Sequence, residues 1–500
     1  MLFRLVKICD TSIYERIILC LSEFCATACF VFVGCLGCTS TSAEQISFTF
    51  GLAIMIVVQI FGHISGAHVN PAVTVAATIF GNIPIINVPI YFFGQILGAI
   101  SGYGLVKATF ANYPMNYERL CSPTADKNLS ISQVFLTEFL LTLILIWVCC
   151  AIWDQENVTN QDSLPLRLGF TVTALAMAGS QFSGANINPA RSFGPALLNG
   201  TWDHHWVYWL GPILAAFIGA LFYKIIFGKK MKRWQIVQLT DKMSTKDRIV
   251  LCAAEIGGTA ILLFLGCLGC VNSLASGGFI PHEQISFTFG LAVMVAIQVF
   301  GHISGAHINP IVTVAAATLG DLPLIQVPIY FVGQLIGSLL GFGLLLVVTP
   351  EVNVGNVYNN ITGIKIGSGV CSPGLHPNIT TGQGLFVEFL LSLILVLFCC
   401  GIWDRRNKDK HDSVPIKFGL AVAVLAMAGG PYTGANMNPA RSFAPALLNG
   451  DWNNHWIYWI GPLAAGFVGG LLYRLIFRKP EPPSKEIVPE GIALNAKNMN

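Results

Sequence analysis

Apolar residues in this chain come in long runs separated by short polar stretches. In the first half the runs span roughly 13–37, 46–62, 88–110, 134–153, 166–178 and 206–227. In the second half they span roughly 249–270, 285–301, 327–348, 385–403, 416–428 and 456–477. A bilayer core about 30 Å thick is crossed by about 20 mainly apolar residues in a helix, so twelve crossing helices are predicted. The second and fifth runs of each half look short. Residues around them such as Gln59 and Ser180 would have to extend those helices along a lined cavity. A signal peptide does not explain the first run, because its counterpart at 249–270 lies mid-chain and both carry a glutamate, Glu23 and Glu255.

The two halves are one text written twice. Gln45–Ala53 and Gln284–Ala292 both read QISFTFGLA. GHISGAHVNP at Gly62–Pro71 returns as GHISGAHINP at Gly301–Pro310. ANINPARSF at Ala185–Phe193 returns as ANMNPARSF at Ala435–Phe443. The offset grows from 239 to 250, which places an insertion of 11 residues in the polar stretch around 352–372. The expected organisation is a first unit over 1–240, a second over 241–478, and a cytosolic tail over 479–500. Met243 opens a stretch, MSTKDRIVLCAAE, that reads like an amino terminus of its own, so one 54.0 kDa chain and two half-size products both suit the sequence.

Composition narrows the class. Of the 500 residues, 54% are hydrophobic and 11% charged, against about 25% charged in an ordinary soluble domain. A string of soluble domains is excluded, and so is disorder. A net charge of +3 gives no case for nucleic acid. Most of the 15 cysteines sit in apolar runs, where they read as small buried hydrophobes. Cys121 and Cys371 lie instead in polar loops. A disulfide from them to Cys35 or Cys38, and to Cys267 or Cys270, is open but less favoured than unpaired packing. No cysteine–histidine spacing suggests a metal, and no nucleophile–base set suggests an enzyme; no cofactor is expected.

Six helices return each unit to its starting side. The joining segment holds Lys229, Lys230, Lys232, Arg233, Lys242, Lys246 and Arg248, and a later loop holds Arg405, Arg406, Lys408, Lys410 and Lys417. An excess of basic residues marks the cytosolic side, so a multi-pass protein with both termini in the cytosol is predicted. Glycosylation triplets at Asn128, Asn360 and Asn378 then fall outside, whereas the one at Asn157 falls inside. The glycine runs Gly94–Gly98–Gly102 and Gly333–Gly337–Gly341 predict close helix packing.

The chemistry lies between the helices. Asn70-Pro71, Asn188-Pro189, Asn309-Pro310 and Asn438-Pro439 each open about ten residues that end near a glycine. Asn caps helices and Pro fits the first turn, so each predicts a half-helix. Three crossings separate the two in a unit, so they enter from opposite faces with their N-termini meeting near the midplane. Two positive dipole ends then disfavour cations there. Neutral oxygen-bearing solutes can accept from the Asn amides. Glu23 and Glu138, with Glu255 and Glu388, would be satisfied by backbone N–H groups of the re-entrant loops. His63 and His68, with His302 and His307 five residues apart in the same way, sit beside the first half-helix of each unit and read as hydrogen-bonding loop residues rather than metal ligands, with His63 and His302 taken as structural supports.

With both half-helix motifs present in each copy, the chain resembles the aquaporin (major intrinsic protein) family over about 470 residues. The resemblance implies an all-α membrane protein of two tandem units, each six transmembrane helices plus two re-entrant half-helices in an inverted repeat. It also implies a passive channel and tetrameric assembly, here two chains forming a pseudo-tetramer in the lipid bilayer, most naturally the plasma membrane. By position it implies two selectivity filters, Phe50, Ala176, Ala185 and Arg191, then Phe289, Ala426, Ala435 and Arg441. Water-selective members usually carry His where Ala176 and Ala426 stand. Losing the imidazole widens the constriction and removes a polar wall, which suits glycerol or urea as well as water. Ser192 and Ser442, with Tyr208-Trp209 and Tyr458-Trp459, resemble water channels, and a water-channel frame without the filter His resembles the insect entomoglyceroporin subgroup. Passage of water alone, and a largely non-conducting adhesion or signalling role on the same fold, are the alternatives. Ile311 stands where the other three motifs have Ala, which is expected to shift the packing of that half-helix.

Overall fold

The computed structural model describes residues 12–38, 42–109, 120–154, 157, 161–228, 243–271, 280–354, 357–358, 365–367, 369–404, 407 and 412–478. The basic residues 229–233, Lys242, Arg405, Arg406, Lys408 and Lys410, the triplet at Asn360 and the tail 479–500 lie outside them.

The first unit comprises α1 (Ile13–Gly37), α2 (Ala43–Ser65), α3 (Pro71–Phe80), α4 (Val88–Thr109), α5 (Ile131–Trp153), α6 (Leu164–Ser183), α7 (Pro189–Asn199) and α8 (Val207–Ile226). The second comprises α9 (Thr245–Leu268), α10 (His282–Ser304), α11 (Pro310–Leu319), α12 (Val327–Val348), the short α13 (Glu351–Val354), α14 (Thr381–Trp403), α15 (Val414–Thr433), α16 (Pro439–Asn449) and α17 (Ile457–Leu472). A small antiparallel ribbon, β1 (Val357–Tyr358) with β2 (Lys365–Gly367), falls in the insertion that the repeat offset locates.

Start signals are local. Ser12 and Glu15 close a capping box at α1, as do Ser130 with Gln133 at α5 and Thr380 with Gln383 at α14. The runs that looked short are full crossings: α2 and α10 have 23 residues, α6 and α15 have 20. Their apolar pattern breaks because residues such as Gln59 and Ser180 border a cavity. Among the described residues eleven helices are long and apolar enough to cross a membrane. The remaining long one, α6, carries Arg167, Thr171, Thr173, Ser180 and Gln181.

The glycine runs act as expected. A Cβ at Gly98 would stand 2.5 Å from the carbonyl oxygen of Phe24, and one at Gly102 would overlap Ala28, so α4 lies directly on the α1 backbone. Gly337 and Gly341 bring α12 onto α9 in the same way.

The favoured reading of unpaired cysteines is wrong at two places. Cys35 bonds to Cys121 and Cys267 to Cys371, each with Cα atoms 5.4 Å apart. The loops fold back over the C-terminal ends of α1 and α9, which sequence spacing does not show. Cys149, Cys150, Cys399 and Cys400 are buried packing residues.

The two units pack as neighbours. Helices α5 and α6 of the first lie against α9 and α10 of the second. The buried Arg167 donates to Asp412 at 3.1 Å and to Gln298 at 2.9 Å, and Ser163 N–H donates to the same aspartate at 2.6 Å. His302 meets Tyr223 Oη at 3.0 Å and lies 3.9 Å from Asp154.

Two paired half-helix sites

Each half-helix begins where the sequence places it. Asn70, Asn188, Asn309 and Asn438 are extended N-caps, and each Oδ1 accepts from the backbone N–H two residues on. Left-handed glycines Gly81, Gly200, Gly320 and Gly450 end them.

The two tips of a unit bind each other reciprocally. Asn70 Nδ2 donates to Ile187 O at 2.9 Å, and Asn188 Nδ2 donates to Val69 O at 2.8 Å. In the second unit Asn309 reaches Met437 O and Asn438 reaches Ile308 O, both at 2.9 Å. An amide has two N–H donors, so one stays available to a solute on each Asn.

The approach to each tip has unusual backbone. Ala67, Val69, Ala185 and Ile187, and their counterparts Ala306, Ile308, Ala435 and Met437, all have φ of 44–50°. Such residues cost of order 1–3 kcal/mol each unless the surroundings hold them. The four buried glutamates do the holding. Glu23 accepts from His68 N and Val69 N, both at 2.9 Å, and from Ser65 Oγ at 2.6 Å. Glu138 accepts from Asn186 N at 2.8 Å, Ile187 N at 2.7 Å and Ser183 Oγ at 2.6 Å. Glu255 and Glu388 do the same for His307–Ile308 with Ser304, and for Asn436–Met437 with Thr433.

The hydroxyl partners and two glutamines went unnoticed in the sequence. Gln95 Nε2 bridges Glu23 and Thr74, and Gln334 Nε2 bridges Glu255 and Thr313. A signal existed for the hydroxyls: Ser65, Ser183, Ser304 and Thr433 all stand five residues before a motif Asn, followed by Gly-Ala.

The expectation of four histidines beside the half-helices holds for two and needs correction for the other two. His68 and His307 support the half-helices, with Nδ1 3.1 Å from Thr74 and Thr313 Oγ1. His63 and His302 sit in the last turn of α2 and α10, where a helix carries them away from the tip. His302 serves the contact between units, and its copy His63 lines the first cavity.

A cavity of about 760 Å³ runs through the first unit, lined from Ser47 past Phe50, Ala176, Ala185 and Arg191, between Asn70 and Asn188, to Asn82. The Arg191 guanidinium lies 4.7 Å from the Phe50 ring centroid and Nη1 donates to Asn186 Oδ1 at 2.8 Å. In the second unit Phe289, Ala426, Ala435 and Arg441 line an outer cavity of about 70 Å³ that reaches Asn309 and Asn438. Arg441 stands 4.8 Å from the Phe289 centroid, but its Nη1 donates to Cys371 O at 2.9 Å. Arg191 Nη2 lies 3.7 Å from Cys121 Sγ, so each disulfide anchors the loop that touches the arginine. Among the described residues no group of three His, Cys, Asp or Glu could hold a metal.

Known proteins resemble the chain in sequence. The chain is 38% identical to mouse aquaporin-4 over 227 residues, 45% of this chain and 66% of that one. It is 40% identical to the human lens fiber major intrinsic protein over 220 residues, 44% of this chain and 78% of that one. The matched segment thus spans just under two thirds of aquaporin-4. Among solved structures, the aquaglyceroporin from Plasmodium falciparum aligns with a TM-score of 0.40 at 23% identity, over 42% of this chain and 95% of that one. The profile of the family described as Major intrinsic protein matches twice, over residues 12–223 and 242–473. The chain therefore belongs to the major intrinsic protein family and carries that family's unit in tandem.

Proposed function

We propose that the chain is a passive membrane channel with one pore per unit, over 1–240 and 241–478, which together pass water and small neutral solutes such as glycerol and urea. The observation that carries the reading is the cavity through the first unit, bounded by both half-helix asparagines and by Phe50, Ala176, Ala185 and Arg191. Phe50 and the two alanines offer an apolar wall to a carbon skeleton. Arg191 and the asparagine amides offer donors to hydroxyl or carbonyl oxygens. Two inward-facing helix N-termini and a buried arginine repel cations and protons. Placing His at Ala176 and Ala426 should reduce glycerol and urea flux into proteoliposomes much more than water flux. Equal losses of all three would remove the argument from filter width.

Two chains are proposed to close a four-unit ring, a heterologous interface repeating until it closes. Within the chain, α5 and α6 meet α9 and α10. The same faces stay open at the two edges: α1 and α2 expose Ile13, Ile17, Leu52 and Ile56, and α14 and α15 expose Phe386, Ile394, Leu420 and Val424. His63 on one edge would find Tyr473 and Asp404 on the other, which here bond to each other at 3.0 Å. The distribution of basic loops supports cytosolic termini, and residence in the plasma membrane is proposed with them.

A further inference from the structure

The two filters share four residue types, yet their surroundings differ. Ala43 in the first unit corresponds to His282 in the second, and Ser180 to Gly430. His282 lies in the first turn of α10, seven residues before Phe289, hence two turns away on the same face. Its ring lines the outer cavity of the second pore, and Nε2 lies 3.2 Å from Ala426 O, the backbone of the position where the filter imidazole is missing. A Cβ at Gly430 would overlap that ring, so the second unit clears the space that Ser180 takes in the first, where Ser180 lines the cavity. Large and small residues have exchanged between the two helices.

Polar groups rearrange around it. Ser47 Oγ donates to Ala43 O at 2.7 Å in the first unit, whereas the corresponding Ser286, 1% exposed and lining the second cavity, has a partnerless Oγ. With Arg441 turned to Cys371, Asn436 Oδ1 is also left without a partner, while Asn186 Oδ1 holds Arg191. A buried hydroxyl and a buried carbonyl aimed at a small cavity suit ordered water.

We infer that His282, supplied by α10, replaces the imidazole wall that Ala426 does not provide, so that the second pore passes water and excludes the glycerol and urea admitted by the first. This rests on the channel reading above and makes His282 a specificity-determining residue of one pore only. The full-length chain in proteoliposomes tests it, with one pore plugged at a time. Ala185→Trp leaves the second pore, and Ala435→Trp leaves the first. The Ala435→Trp chain should carry both water and glycerol, and the Ala185→Trp chain water with glycerol at the empty-vesicle level. Adding His282→Ala to Ala185→Trp should raise glycerol flux several-fold. Adding Ala43→His with Ser180→Gly to Ala435→Trp should abolish glycerol flux while water continues, a transplant that needs no change in the second unit. Equal glycerol flux through the two plugged chains, or no gain with His282→Ala, overturns the inference. If the first pore alone carries no glycerol, the solute reading of that pore fails instead. Water then decides the inference, since His282→Ala must still raise water flux through the second pore and an unchanged rate rejects it.

Discussion

Glu138 accepts three hydrogen bonds from one re-entrant loop, and two of the donors are backbone N–H groups of residues 186 and 187. Ile187 is β-branched and left-handed at φ 47°, so it depends on that anchor. Glu138→Ala would orphan buried donors at roughly 1–3 kcal/mol each. It should lower the melting temperature in detergent and reduce flux through the first pore. Glu138→Gln keeps one acceptor oxygen and should fall between; equal stability of Ala and wild type would show that the loop holds its own shape. The glutamate role was legible because a carboxylate in an apolar run demands donors, and the nearest unsatisfied ones were the loop amides. The serine and glutamine partners were not sought, since a hydroxyl or amide in a membrane helix satisfies itself in several ways. His63 and His302 were misplaced because α2 and α10 run further than their apolar runs, so these residues belong to the last helical turn and not to the loop before the motif.

The half-helices were legible as elements, from Asn caps through Pro at the first turn to terminal glycines. The effect of Ile311 was not. Asn309 keeps φ −156° and ψ 124°, close to −152° and 119° at Asn70, so the larger residue does not disturb the cap. Ile311 is fully buried and its backbone lies against Gly466 of α17. The corresponding pair in the first unit is Ala72 and Ala216. The copy with the larger half-helix residue carries the smaller residue on the facing helix, where Gly466 lets the Ile311 backbone lie close, a compensation visible only once the facing residue is known. Gly466→Ala would set its Cβ 2.9 Å from Ile311 O, and overpacking of this kind costs about 1–3 kcal/mol. Ile311→Ala in the same chain should recover part of that loss. Strictly additive losses in a double-mutant cycle would contradict the compensation.

The whole molecule follows from a duplication that the sequence states openly and an interface that it does not. Repeat offsets locate both units and the insertion, but the lock of Arg167 with Asp412 and Gln298 joins residues more than a hundred positions apart. The disulfides were hidden for the same reason, since Cys35 and Cys38 are equally near Cys121 in sequence terms. Native mass measurement on the detergent-solubilised chain should give two copies of 54.0 kDa; four copies would mean that each edge pairs otherwise. The central claim is passive flux through the chain, and stopped-flow light scattering on proteoliposomes tests it most directly. Vesicles holding the full chain should equilibrate water and glycerol much faster than empty ones, with both rates lost when Ala185 and Ala435 are both replaced by Trp. Rates equal to those of empty vesicles would contradict the account.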